Sequence, residues 1–96
     1  MPHAYAIGHI TIKDPDNWAE YHRRVPETLA PWGAELLLRG KLVEVFSGVH
    51  AQTDTVAIRF PDLAAAHGWH ASAAYQALIP LRQSAADVTL LLFEES

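Results

Sequence analysis

The sequence predicts an α+β domain with helices on one face of a four-stranded antiparallel sheet, and three observations predict it. Five segments put bulky apolar residues at consecutive positions: residues 5–12, 36–38, 43–46, 56–60 and 88–93. Neighbouring side chains of a strand point to opposite faces, so a sheet of such segments is apolar above and below. Two further stretches carry apolar residues at helical spacing, enough to cover one face. The chain has only 96 residues and no cysteine, so it is one small domain with no disulfide, and association is the stabiliser that remains. The face that the helices leave bare calls for a second copy.

Each element follows in order. Residues 4–12 form the first strand. Asp14-Pro15 opens a helix, with Asp14 as N-cap and Pro15 in the first helical position. Trp18, Tyr21, Val25, Leu29 and Trp32 follow at spacings of three and four, one helix face. Glu20 and Arg24 make an i,i+4 pair on the outer side. Pro26 is expected to kink this helix or split its last turn, and Gly33 to end it.

Residues 34–39 and 41–46 read as extended. Gly40 joins them as a tight hairpin or as a bulge in one long strand. The bulge is preferred, because a long bent strand reaches a partner. Residues 47–54 are polar and turn-rich, and 55–60 form the next strand. Pro61-Asp62 stops that strand and caps a second helix, which is broken: Gly68 weakens it and Ser72 restarts it. Ala74, Leu78, Leu81 and Ala85 continue its inward face, and Pro80 is a second internal proline. Residues 87–94 are the last strand.

The order β-α-β-β-α-β is the ferredoxin-like plan. Right-handed crossovers put the first and third strands in the centre and both helices on one face. Two bare apolar faces packed across a two-fold axis form a barrel. The expected assembly is therefore a homodimer, a dimeric α+β barrel.

Composition excludes several functions. The net charge is −4, and the seven basic residues are scattered, with Arg39-Gly40-Lys41 their one local concentration. No basic face for nucleic acid results. Half the residues are hydrophobic, which excludes a disordered chain. No apolar run approaches a membrane span, and the first residues lack the pattern of a signal peptide, so no membrane partner and a cytoplasmic location are expected. Gly-rich phosphate loops, nucleophile elbows and dinucleotide fingerprints are absent from the sequence. Catalysis would rest on acid–base groups in a closed apolar pocket.

Tyr5, Asp14-Pro15 before Tyr21, Gly33 and Arg39-Gly40 resemble the DUF1330 family, as do Phe60-Pro61 and the pattern Trp69, Ser72, Tyr75-Gln76 and Arg82. The resemblance runs over nearly the whole chain. It implies the dimeric α+β barrel superfamily, whose members include cofactor-free monooxygenases, polyketide cyclases, lactone isomerases and haem-degrading enzymes. Their ligands typically sit between the sheet and the helices of one subunit. Ser47-Gly48 stands where the family usually has Glu-Gly, and His70 where it often has an aromatic residue. Any role of that glutamate does not carry over.

Candidate site residues follow from polar groups among apolar positions. His9 lies mid-strand and shares a face with Tyr5, Ile7 and Thr11. It is either a general base or a hydrogen-bonded histidine of the core or the dimer interface. His70 adjoins Trp69 in the broken helix and is either a catalytic acid or part of a solvated face. His67 and His70 are i,i+3, but without a companion motif they do not define a metal site with His9 or His50. Tyr75 and Arg82 lie seven apart on one stripe, and Trp18 and Tyr21 face them. With Trp69 they line an apolar pocket and orient its ligand, where Tyr75 donates a proton or holds an enolate, or they pack as core aromatics with polar handles. Arg82 is otherwise a partner for Asp62 or Asp87. Arg59 binds an oxyanion or pairs with Glu35 or Glu44. These residues point to a small hydrophobic ligand and to acid–base chemistry without an organic cofactor, and the resemblance implies that the ligand is aromatic or polyketide-like. The other expectation is a non-catalytic ligand-binding dimer.

Overall fold

The computed structural model describes residues 2–96. It runs β1 (Ala4–Ile12), α1 (Pro15–Leu29), a 3-10 turn (Ala30–Trp32), β2 (Glu35–Lys41), β3 (Asp54–Phe60), α2 (Leu63–Ala71), α3 (Ala73–Gln76), α4 (Ile79–Ala85) and β4 (Ala86–Glu94). The four strands form one antiparallel sheet in the order β2-β3-β1-β4. The first and third strands are central, as right-handed crossovers require.

β1 shows which face the helices take. Ala4, Ala6, Gly8 and Ile10 are buried beneath them, while Tyr5, Ile7, His9 and Thr11 are half-buried on the opposite, bare face. The core between sheet and helices is built on Phe60, Ile58, Trp69, Tyr75, Leu29 and Leu78.

α1 begins as its sequence requires. The Asp14 carboxylate accepts from the backbone N–H groups of Asp16 and Asn17, and Pro15 follows it. Glu20 holds Arg23 at 2.7 Å and also Arg24. Pro26 does not split the helix at its own position. The helix runs on to Leu29 and tightens into the 3-10 turn only at Ala30. Gly33 then adopts a φ of 65°, the left-handed stop that glycine permits.

The second helical stretch is three helices. Gly68 does not break α2. It lets the Trp32 ring pack against the helix, since a Cβ there would lie 2.3 Å from that ring. The break comes at Ser72, whose backbone is extended. Its hydroxyl donates to the Trp69 carbonyl at 2.6 Å and accepts from the Tyr75 N–H at 3.2 Å. The restart turns Tyr75 inward and leaves Ala74 exposed, contrary to the expected stripe. Pro80 opens α4 rather than interrupting a helix.

β2 carries a bulge, but not at Gly40. The register shifts between Leu36, opposite Ile58, and Leu38, opposite Ala57. The strand ends at Lys41, and residues 42–53 leave the sheet as a long excursion. It is tied back by Leu42 N–H to the Thr53 carbonyl at 2.6 Å and by Thr53 N–H to the Ile10 carbonyl at 3.0 Å. Val43, Phe46 and Val49 on it are almost fully exposed.

Candidate functional site in the cavity between sheet and helices

A cavity of about 630 Å³ opens between the sheet and α1. Its size falls within the range of small-molecule sites. Gly8 and Ile10 of β1 and Ile58 of β3 form its floor. Gly8 matters because a Cβ there would meet the Val56 side chain at 2.9 Å. α1 supplies Trp18, Tyr21, His22 and Val25 at successive turns, and Trp69 and Tyr75 close the far wall. Trp18 stacks on Tyr21 with ring centres 5.3 Å apart, and Trp69 meets Tyr75 at 4.1 Å. Thr28 fixes Trp69: its hydroxyl accepts from the indole N–H at 2.9 Å and donates to the Val25 carbonyl at 2.7 Å.

The polar heart of the cavity is a relay of three side chains. The hydroxyls of Tyr21 and Tyr75 are 2.9 Å apart, and Arg82 Nη1 donates to the Tyr75 oxygen at 2.9 Å. Two phenols bring two hydroxyl protons, and the bond between them uses one. The other proton is uncommitted, whichever phenol holds it. Burial, and then the neighbouring Tyr75, push the Tyr21 phenol far above its ordinary range, so it stays a protonated donor. The relay therefore offers one spare O–H, backed by a guanidinium, to an oxygen in the cavity.

His22 stands on the half-buried side of α1 at the cavity wall. Burial, and then the Arg39 charge, hold its imidazole below the usual value of 6.5. It is thus a neutral base near neutral pH. Sequence reasoning missed it, although it follows Tyr21 directly and lies four residues after Trp18.

Of the residues expected at the site, Trp18, Tyr21, Trp69 and Tyr75 line the cavity, and Arg82 reaches it through Tyr75. Arg82 does not pair with Asp62 or Asp87; Asp87 instead faces Lys13 at 3.4 Å. His9 and Arg59 sit on the bare face, because β1 and β3 point their odd-numbered residues away from the helices. His9 Nδ1 is 3.2 Å from the Thr55 hydroxyl, and its ring lies 4.9 Å from that of His50. Arg59 pairs with Glu35 at 2.8 Å. Neither is placed to act on a ligand in the cavity. His70 is exposed at the end of α2, where with His67 and Arg82 it lines a separate cleft of about 380 Å³. Among the described residues, no three His, Cys, Asp or Glu side chains are grouped to hold a metal ion. No helix among them is long and apolar enough to cross a membrane.

Sheet order, helix placement and cavity define a ferredoxin-like α+β domain. The chain belongs to the DUF1330 family, a domain of unknown function whose model matches residues 3–96. Its fold is that of a protein of unknown function from Rhodopseudomonas palustris, with a TM-score of 0.83 and 14% identity over 99% of this chain and 83% of that one. A dimeric ferredoxin-like protein of unknown function from Jannaschia sp. superposes with a TM-score of 0.79 and 11% identity, covering 97% and 99% of the two chains. SnoaB, a cofactor-independent oxygenase from Streptomyces nogalater, gives 0.70 and 13%, over 100% of this chain and 95% of its own. At these identities the likeness establishes the fold. A comparison with curated proteins finds no match.

Proposed function

We propose that the protein is a homodimeric enzyme that moves a proton on a small hydrophobic molecule, aromatic or polyketide-like, without an organic cofactor. The observation that carries this reading is the Tyr21–Tyr75–Arg82 relay, with one spare hydroxyl proton at a mostly apolar cavity. His22 accepts a proton from an acidic C–H or O–H of the substrate. The electron pair stays behind as an enolate or phenolate, whose oxygen takes the spare O–H of the relay. Such an anion then closes a ring onto its own carbonyl, is reprotonated elsewhere, or passes an electron to dioxygen. The likeness to SnoaB supports the last course by fold alone.

The assembly rests on the bare face. Leu38, Leu91 and Phe93 are 40–52% exposed there, and two proteins of the same fold are dimeric. A second copy over that face buries the His9 and Arg59 side of the sheet and leaves the cavity to one subunit.

The test is turnover of enolisable aromatic ketones in air, followed by absorbance. Tyr75→Phe removes the hydroxyl shared by both hydrogen bonds and is expected to slow turnover about 100-fold. Tyr21→Phe leaves Tyr75 with a free proton and a smaller loss. Equal activity of Tyr75→Phe and the parent would end the proposal. The second reading is a ligand-binding dimer without catalysis, favoured because the cavity lining is mostly apolar and its histidine, His22, is only half-buried. It predicts that these ketones bind and are recovered unchanged.

A further inference from the structure

The bulge in β2 decides what the cavity mouth carries. Leu36 lies opposite Ile58, on the helix side of the sheet. In a regular strand Arg39 would lie opposite Thr55, on the bare face. The extra residue at Leu37 instead sets Arg39 opposite Val56 and Lys41 opposite Asp54. One residue of slip turns a strand over. Both cations thereby join the cavity lining, and Leu38 takes the bare face. Asp54 lines the same mouth, but its carboxylate accepts from the Thr53 hydroxyl at 2.7 Å and makes no ion pair with either cation. Among the described residues, no carboxylate lies within ion-pair distance of Arg39 or Lys41. The Arg39 charge is felt across the mouth, where it helps hold His22 neutral.

We infer that the ligand is an amphipathic acid: its apolar body fills the cavity, and a carboxylate at its outer end meets Arg39 and Lys41. This names the substrate class of the proposed site and rests on the cavity being a ligand site. The neutral oxygen that reacts points inward to the phenols, and the permanent charge points outward. Cations that are partly solvated contribute modestly, so the preference is measurable rather than absolute.

The experiment compares 1-naphthaleneacetate with 1-naphthaleneacetamide, which has the same ring and no charge. Tryptophan fluorescence reports binding, because Trp18 and Trp69 line the cavity. At low salt the acid is expected to bind roughly tenfold tighter than the amide. In Arg39→Gln/Lys41→Gln the two are expected to bind alike, with the amide affinity unchanged, which also reports an intact fold. Lys41→Glu is expected to reverse the preference. Equal binding of acid and amide to the parent overturns the inference while leaving the cavity as a ligand site. A preference that survives the double substitution overturns it as well. Failure of both compounds to bind removes the cavity reading, and the inference with it.

Discussion

His22 shows how one side chain links stability to pH. Its imidazole is held below 6.5 by burial and by Arg39. The folded chain therefore binds that proton less tightly than the unfolded chain does. Stability contributed by the neutral form is complete above the unfolded value and falls as pH drops below it. The unfolding midpoint is expected to rise as pH is raised toward about 6.5, and His22→Gln is expected to flatten part of that rise. An identical slope in the variant, measured by urea denaturation across this range, would remove His22 from the account. His9 was the more visible histidine in the sequence, since it interrupts an apolar strand. Its neighbours, apolar on both sides, did not say which face is covered. Alternation grouped it with Tyr5 and Ile7, and the structure turns that whole group away from the helices.

Among the elements, α2 makes a prediction whose sign is informative. Replacing glycine by alanine inside a helix ordinarily stabilises it by about 1 kcal/mol. At Gly68 the added methyl would enter the Trp32 ring, 2.3 Å from the nearest atom. Gly68→Ala is therefore expected to destabilise the protein by roughly 1–3 kcal/mol, read from thermal or urea unfolding; a gain would show that the two elements part without cost. The cap at Asp14, the stop at Gly33 and the break at Ser72 were legible, because each is a local hydrogen-bond or backbone requirement. The bulge was not. Leu36, Leu37 and Leu38 are identical, so no contrast between them marks a face. Gly40 carried the usual bulge signal and sits in a regular part of the ladder. Helical spacing continues past Pro80 and so marks it as an internal proline, whereas proline equally begins a helix.

For the whole molecule, the excursion over residues 42–53 is the part least explained by one chain. Val43, Phe46 and Val49 are 94–100% exposed, and β2 beside them is exposed along its whole length. Large apolar side chains left this open signal an interface. Val43→Asp/Phe46→Asp is expected to move the protein from dimer to monomer in sedimentation velocity, with the helix content unchanged. A dimer that persists would place the contact on the bare face of the sheet alone. The fold was legible, and with it the bare apolar face, because covering area is a count of apolar positions. The relay was legible only as residues on facing helices; that Arg82 chooses a phenol over a carboxylate depends on distances no spacing encodes.

Gly8 sets the depth of the cavity. Its missing side chain is floor space, bounded by Val56 at 2.9 Å and Leu90 at 3.7 Å from where a Cβ would stand. A single-base change to alanine or valine would shorten the compartment from below while leaving the phenols and the cationic mouth in place. Ligand length could then drift during evolution separately from the chemistry performed on it. Chains that share this relay but differ at position 8 are expected to prefer molecules of different length, and Gly8→Ala, tested against a series of one-ring and two-ring acids, is expected to favour the shorter.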